Sequence, residues 1–413
     1  MPIKPAHLSC RWTALAVLAS ATGLASPAQA QTDDTTPFYA GGSLGVSHVS
    51  NLFRQAGTSN SDTVISTGLL AGLDQKFGRQ HFTADGSLQH NRYSSNSGLN
   101  NESYNLRSAL NWATVGDLSG TLSASSSRSL ADFNIGGGVD PILKKNIESN
   151  NEYAALVRLG LATRYSVEAG WTHRRHDFSA AEYDRFIYHQ NTGSLGLYAT
   201  PGSNLRLGLV GRHTRGQYPR YPIGIIFNPD VLAFQVVSAP DDFSRNDVDF
   251  TAHWDTGGRS TLDTRLSSSH LKHGLSVLPD FNGTTGAVGW NWQPTTKLQL
   301  GLQYSRDTGQ DSRVQASDVN RIYNTWRLNG IYALTSKISL NASASSVRNR
   351  STSETQQANG FENNKAYSLG TRWALSRSVS FACQYDHASR DSSIPQYVYS
   401  ASSYGCTGQA ILY

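Results

Sequence analysis

The sequence has few charged residues and no long apolar run, and each shortage excludes a class of protein. Charged residues make up 16% of the 413 residues, whereas soluble domains average about a quarter. No stretch of about 20 apolar residues is present, which excludes a bundle of membrane-spanning helices. Aromatic residues account for 10% of the chain. A disordered protein is therefore excluded as well, because disordered segments contain few of them.

The charge balance and the short motifs narrow the range of functions further. The formal net charge is +5, which is small for this length and gives no basic patch of the kind that binds nucleic acid. The motifs H-E-x-x-H, G-x-x-x-x-G-K and C-x-x-C are missing, so the zinc, phosphate and dithiol sites that they mark are not indicated. We therefore expect no nucleic acid partner, no metal and no cofactor.

Residues 1–30 have the composition of an export signal. A basic start is followed by an apolar stretch at 12–25 and by the small-x-small pattern of a signal-peptidase site at 28–30. The apolar stretch is too short for a membrane anchor. We therefore expect cleavage after Ala30, which leaves residues 31–413 as one exported domain with a formal net charge of +3.

From Thr36 onward the sequence repeats stretches in which apolar and polar residues alternate. In residues 102–116, for example, Leu106 and Leu110 alternate with Arg107 and Asn111. A period of two places one set on each face of a β-strand. The stretches are about 10 to 14 residues long, which exceeds the usual five or six residues of soluble strands. This length favours a membrane-spanning sheet over a soluble sandwich.

The breaks between the stretches alternate in length. Short breaks lie near 77–79, 115–117, 163–164, 201–204, 257–259, 294–296, 335–336 and 377. Long breaks lie near 51–62, 94–101, 133–148, 178–183, 216–243, 274–280, 308–319, 351–363 and 392–400. Short periplasmic turns and longer outer loops are typical of outer-membrane barrels. The pattern predicts an all-β, transmembrane, antiparallel up-and-down outer-membrane β-barrel of about 18 strands.

The end of the chain has the pattern that the barrel-assembly machinery reads. Gly408, Ile411 and the terminal Tyr413 supply a glycine, an apolar residue and a final aromatic residue at the expected spacing. We therefore expect this machinery, the outer-membrane lipid and lipopolysaccharide as partners, and the bacterial outer membrane as the location.

A barrel of this size encloses an aqueous lumen unless something plugs it. The polar set of each strand faces that lumen and tunes its selectivity. The candidate lumen residues are Arg107, Arg158, Glu168, Arg174, Arg206, Arg212, Asp249, Asp263, Arg265, Arg327 and Arg372, with Tyr198 and Tyr323 as candidates for stacking on a solute. This set predicts a hydrated, mixed-charge, slightly basic channel that suits a polar or acidic solute. Each residue could equally be a solvated wall position without a selective role.

The long break at 216–243 has an apolar centre, which is unusual for a loop in water. Its core carries Ile223, Ile225, Ile226 and Phe227. An apolar loop of this length should bury itself. It could fold into the mouth of the barrel as a constriction or plug, or it could contact a partner or lipopolysaccharide.

The two cysteines that follow the export signal, Cys383 and Cys406, lie on either side of the last long break. A hairpin centred near 394–395 places them opposite each other, at a separation that a disulfide can span. An oxidising compartment favours the bond. Cys383 shares its face with Phe381 and Tyr385, but Cys406 is out of phase with Ile411 and Tyr413. The pattern therefore predicts a bulge, for example at Gly405 or Gly408, that lets the two cysteines meet.

Barrel enzymes with sites near the rim remain an alternative, because the chain contains 12 histidines. No histidine has a convincing nucleophile near it in the sequence. His270 and His273 lie near an outer loop, but two ligands do not make a metal site.

Two short segments suggest a family. Residues Ser50-Asn51-Leu52-Phe53-Arg54 resemble a D-N-L-F-R element. The final hairpin, in which Tyr385 is followed by Arg390-Asp391-Ser392-Ser393, resembles the final hairpin of the same family. Both occur in the EpsL-type outer-membrane barrels linked to exosortase/PEP-CTERM exopolysaccharide operons, within a wider family of β-barrel porins. Ser50 departs from the usual aspartate of that element.

The resemblance implies a role in exopolysaccharide biosynthesis or export. Polysaccharide would be the cargo, and polysaccharide-export proteins could be further partners. The conduit would be passive and hydrated. A general or sugar-selective diffusion porin is the alternative reading, and a rim-active barrel enzyme is a third.

Overall fold

The computed structural model describes residues 37–57, 60–136, 139–160, 164–229, 232–276, 278–308, 321–351 and 361–413. The predicted export signal lies outside these residues. Within them, no helix is long and apolar enough to cross a membrane.

Almost all of the described chain is β-strand. The strands are β1 Phe38–Val49, β2 Asp62–Phe77, β3 Gln80–Tyr93, β4 Asn101–Ala113, β5 Leu118–Leu130, β6 Ile147–Leu159, β7 Tyr165–Phe178, β8 Tyr188–Gly202, β9 Leu205–Asn228, β10 Ala233–Gly257, β11 Ser260–His273, β12 Phe281–Trp292, β13 Leu298–Thr308, β14 Arg321–Ala333, β15 Ile338–Ser351, β16 Phe361–Ala374, β17 Val379–Ser392 and β18 Tyr399–Leu412. Short 3₁₀ helices lie between strands at Ser97–Leu99, Ala181–Phe186 and Pro395–Tyr397.

Each strand pairs antiparallel with its neighbours in the sequence, and the last strand returns to the first. β18 pairs with β1 from Ala40↔Leu412 to Val49↔Ser403, which closes the sheet into an 18-stranded barrel. Closure removes the open edges that lipid would not tolerate. The predicted fold and strand number are confirmed.

The alternation of the sequence sets the inner and outer faces. On β4 the side chain of Leu106 is 52% exposed on the outside, and Arg107 follows it on the inside. On β7 the outward Val167 is 38% exposed, whereas the inward Glu168 is 7% exposed. An apolar outer band and a polar interior are what a membrane barrel requires.

The two ends of the barrel differ as the breaks predict. Tight turns close one end, and positive φ angles at Gly78 and at Gly257 and Gly258 make two of them possible. The longer connections lie at the other end, which faces outward in barrels of this class. We number these loops L1 to L9 in chain order. The four used below are L1 (50–61), L2 (94–100), L3 (131–146) and L4 (179–187).

The predicted long loop at 216–243 is instead a β-hairpin. β9 and β10 have 24 and 25 residues and pair with each other up to Asn228↔Ala233. The β-branched residues of this segment favour extended backbone, and each strand gives the other its hydrogen bonds. Because β8 pairs with β9 only as far as Gln217, the hairpin rises beyond the rim by roughly 30 Å at 3.3 Å per residue.

Cys383 and Cys406 form a disulfide with a Cα–Cα distance of 4.1 Å. They are direct partners in an unbroken register between β17 and β18, so the predicted bulge is wrong. Ile411 points inward and is 8% exposed, whereas Tyr404 and Leu412 are exposed on the outside. Cys406 shares the outward face with these two residues, because the alternation of β18 runs opposite to the predicted one.

Candidate functional site

The inner wall of the barrel is the candidate site, because it carries most of the charged side chains. The thirteen candidate lumen residues all lie at inward positions of their strands: Arg107, Arg158, Glu168, Arg174, Tyr198, Arg206, Arg212, Asp249, Asp263, Arg265, Tyr323, Arg327 and Arg372. Most of the charged ones lie on β6 to β11, which form a continuous part of the wall.

Near the periplasmic end, one carboxylate holds two arginines. Glu168 on β7 accepts hydrogen bonds from Arg158 on β6 and from Arg206 on β9, the latter at 2.6 Å. The Arg206 guanidinium also lies 3.9 Å from the centroid of the Tyr198 ring. Cation–π contact of this kind adds to the ion pair. Both arginines are therefore already paired with a carboxylate of the protein.

Higher on the wall, two arginines and two aspartates alternate. The Arg212 Nε donates to Asp249 at 2.5 Å, and its Nη2 lies 3.4 Å from Asp247. Arg245 is 2% exposed and donates to Asp247 at 2.9 Å. It also donates to hydroxyl groups of β11 and β13, including that of Thr308 at 2.8 Å. Such a network fixes every member in place.

Several candidate arginines are paired with carboxylates that were not predicted from the sequence. Arg174 pairs with Glu152 at 2.7 Å, and Arg265 pairs with Asp307 at 2.8 Å. Several arginines of the predicted slightly basic lumen are therefore matched by carboxylates on neighbouring strands, whereas Arg372 lies 3.4 Å from the hydroxyl group of Ser380. One signal was available: Glu152 and Arg174 are direct partners across the β6–β7 turn, so they stand at equal distances from it in the sequence.

The opposite side of the lumen, on β1 and β18, carries no acidic residue, lysine or arginine. These strands lie nine strands from β10 and β9 around the barrel. Their inward polar side chains are hydroxyl and amide groups: Tyr39, Ser43, Ser47, Tyr399, Ser403, Thr407 and Gln409. We call this surface the uncharged wall.

Loop L3 crosses the mouth of the barrel and is anchored on the far side. Its Asn134 accepts a 2.7 Å hydrogen bond from the Nη1 of Arg390 on β17, six strands from β5 around the sheet. Arg390 is 1% exposed, and its Nε donates to Asn364 on β16 at 2.5 Å. The nearby Gly136 has φ +69°, and a Cβ there would lie 2.6 Å from a carboxylate oxygen of Glu362.

The near side of L3 is tied to L1 and L4. Asp132 pairs with Arg54 of L1 at 2.5 Å, and its carbonyl accepts a hydrogen bond from the hydroxyl of Tyr183 at 2.9 Å. Burial alone would lower the pKa of Arg54, but the Asp132 carboxylate outweighs burial and raises it. Burial also raises the pKa of the Tyr183 hydroxyl. Burial raises the pKa of the Asp132 carboxyl, which Arg54 opposes. The Arg54 guanidinium therefore stays charged, and the Tyr183 hydroxyl stays a donor.

Apolar side chains from four loops pack around these polar contacts. The cluster joins L1, L2, L3 and L4 through Leu52, Phe53, Leu99, Ala131, Phe133, Ile142, Phe178, Ala180, Tyr183, Phe186 and Ile187. The rings of Phe53 and Phe133 meet edge to face at 4.9 Å. L3 is thus held across the mouth by contacts on both of its sides. The apolar residues of L3, which stand out in a polar loop, were the sequence signal that could have predicted this position.

The predicted constriction residues lie elsewhere. Ile223, Ile225, Ile226 and Phe227 are 43–67% exposed in the β9–β10 hairpin, and no buried cluster of the described chain includes them. Consecutive residues point to opposite faces of a strand, so both faces of the hairpin are open to solvent. The segment therefore does not plug the mouth.

The aromatic rings of the two residues predicted to stack on a solute are covered by other side chains. Tyr323 is 4% exposed and packs against Val347. The ring of Tyr198 is covered by Arg206. Neither offers a free aromatic face to a solute.

No enzyme-like constellation emerges from the described residues. His270 and His273 lie at positions of opposite parity on β11, so their side chains point to opposite faces of the sheet. Gly41–Gly45 reads G-x-S-x-G, but it lies inside β1, whereas the nucleophile elbow requires a sharp strand-to-helix turn. Within the part of the chain that the structure describes, no three His, Cys, Asp or Glu residues form a group that could hold a metal ion.

The closed antiparallel sheet, the apolar outer band and the polar interior define an outer-membrane β-barrel of 18 strands. The chain resembles the outer-membrane protein OpdK of Pseudomonas aeruginosa with 10% sequence identity and a TM-score of 0.48, over 91% of this chain and 99% of that one. It resembles OccK3 (OpdO) of the same organism with 10% identity and a TM-score of 0.47, over 91% and 95% of the two chains. These likenesses concern the fold alone.

A longer chain is similar with a slightly lower TM-score. The FrpB iron transporter of Neisseria meningitidis shares 11% identity at a TM-score of 0.44, over 86% of this chain and 61% of that one. No family model matches the chain, and no curated protein matches it. The resemblance to the EpsL-type proteins therefore gains no support from these comparisons.

Proposed function

We propose that the protein is a diffusion porin for small polar solutes of the outer membrane. The observation that carries the proposal is loop L3, which is anchored by Asn134 and Arg390 across the mouth of a barrel with a hydrated, polar interior. A lumen of this strand number is wide enough for water and solutes. A loop fixed across its entrance limits the size of what can pass.

This geometry fits small solutes better than a polymer. A growing polysaccharide would need an entrance that stays open throughout its export, whereas L3 is held by the ion pair of Arg54 with Asp132 and by an apolar cluster. Exopolysaccharide export, which the resemblance implies, therefore gives way to the diffusion porin. The charged pairs and hydroxyl groups of the wall replace part of the hydration of a small polar solute during its passage.

Purified protein in planar bilayers and in proteoliposomes tests the proposal. We expect stepwise conductance in salt, and uptake of uncharged solutes that falls steeply as their size increases from monosaccharides to oligosaccharides. The absence of channels in correctly folded, heat-modifiable protein would refute the proposal. Uptake of long polymers with no dependence on size would instead support polysaccharide export.

We also propose the outer membrane as the location and the barrel-assembly machinery as a partner. The last residues of β18 form the closing seam with β1, through pairs such as Gly41↔Ile411. A recognition signal placed on this strand would be read before the seam closes. Replacement of Tyr413 with Ala should then lower the amount of assembled barrel in outer-membrane fractions.

A further inference from the structure

The distribution of charge in the lumen points to a class of solute. On one side, Arg158, Arg206 and Arg212 are bound by carboxylates of neighbouring strands. A solute carboxylate at these positions would have to displace an existing carboxylate. Adjacent opposite charges also cancel at a distance, and salt screens what remains.

The uncharged wall offers a different chemistry. Serine, threonine and glutamine side chains both donate and accept hydrogen bonds, as the hydroxyl groups of a sugar do, whereas a carboxylate only accepts. Ser43, Thr407 and Gln409 contribute such groups from two adjacent strands. Three strands from β18, β15 adds further inward serine and asparagine side chains: Ser339, Asn341, Ser343 and Ser345.

We propose that the channel prefers uncharged, polyhydroxylated solutes, such as sugars, to carboxylates of similar size. This inference rests on the proposed function and assigns a solute class to the same lumen. Its structural basis is an ion-paired wall on β6 to β11 that faces an uncharged wall on β18 and β1.

Glu168 is the most informative residue for a test, because a single substitution removes the partner of two arginines. Glu168→Gln keeps the size of the side chain but leaves Arg158 and Arg206 without a countercharge. A matched control is Asp391→Asn, since Asp391 pairs with Lys365 at 3.0 Å on the exposed outer face, away from the lumen.

The measurements are the zero-current potential in a KCl gradient and the uptake of labelled glucose and glucuronate by proteoliposomes. For the wild type we expect weak ion selectivity and faster uptake of glucose than of glucuronate. For E168Q we expect glucuronate uptake to rise about twofold, as one unit of charge about 10 Å away through water would produce. The readout is the ratio of glucuronate to glucose uptake, which should rise in E168Q because only glucuronate carries a charge, and D391N should keep the wild-type ratio.

The outcomes separate this inference from the proposed function. If glucuronate enters the wild type as fast as glucose, or if E168Q leaves glucuronate uptake unchanged, the solute class is wrong although the porin stands. If neither solute enters and no conductance is seen, the porin itself is refuted and the solute class with it.

Discussion

Replacement of Gly136 with alanine tests whether L3 is held where the structure places it. The new Cβ would lie 2.6 Å from a Glu362 carboxylate oxygen and 2.9 Å from Nη1 of Arg390. Both side chains are at most 2% exposed, so they have little room to move. The substitution should therefore push L3 away from β16 and β17 and weaken the hydrogen bond between Arg390 and Asn134.

A second glycine provides the control. Gly57 of L1 has φ +71°, close to the +69° of Gly136, but a Cβ added there would meet nothing within 4 Å. Alanine at either site costs roughly 1–2 kcal/mol for the left-handed backbone. Only Gly136→Ala also weakens a hydrogen bond to a charged group, which is worth about 1.5–3 kcal/mol. A loss of about 2 kcal/mol raises the ratio of released to anchored L3 roughly 30-fold.

Single-channel recording in planar bilayers measures this effect. Gly136→Ala should show more frequent transitions to a state of higher conductance, whereas Gly57→Ala should match the wild type. If both variants gave the same traces as the wild type, L3 would not be the constriction, and the proposed size limit would lose its basis.

Two further predictions concern the disulfide and the hairpin. Unfolded, non-reduced mature protein should show no reactive thiol, and Cys383→Ser should lower stability by about 3 kcal/mol, as a chain-entropy model gives for a loop of this length; two labelled cysteines would contradict the bond. Excision of residues 222–238, whose ends pair with each other, should leave conductance unchanged because the hairpin stands clear of the mouth. Wider conductance in that variant would place the hairpin inside the entrance.

The barrel could be predicted from the sequence because its determinants are local. A strand between lipid and water must alternate with period two, and each tight turn must interrupt that alternation. The faces of Leu106 and Arg107 can therefore be predicted from the local sequence alone, without knowing which strands lie beside them. The same reasoning failed at Cys406, because the alternation was counted from Ile411 and Tyr413, whereas the outward set of β18 contains Tyr404 and Leu412.

The constriction could not be predicted in this way. The contact between Asn134 and Arg390 joins residues 256 positions apart, and no local pattern encodes it. At 223–227 the apolar residues gave no usable alternation, because this part of the hairpin has solvent on both faces. Burial of that segment was expected from its composition. In the structure, its backbone hydrogen bonds are formed between the two strands of the hairpin, and its side chains stay exposed.

The hairpin that rises beyond the rim has two free edges, since β8 stops pairing at Gln217 and β11 stops at Phe243. Free edges of apolar strands invite other chains to add to the sheet. Pro219 and Pro222 lie on one strand and Pro240 on the other, and proline has no N–H to donate to an added strand. The three prolines therefore remove backbone donors from both edges, and a strand of a second barrel could form only an interrupted ladder there.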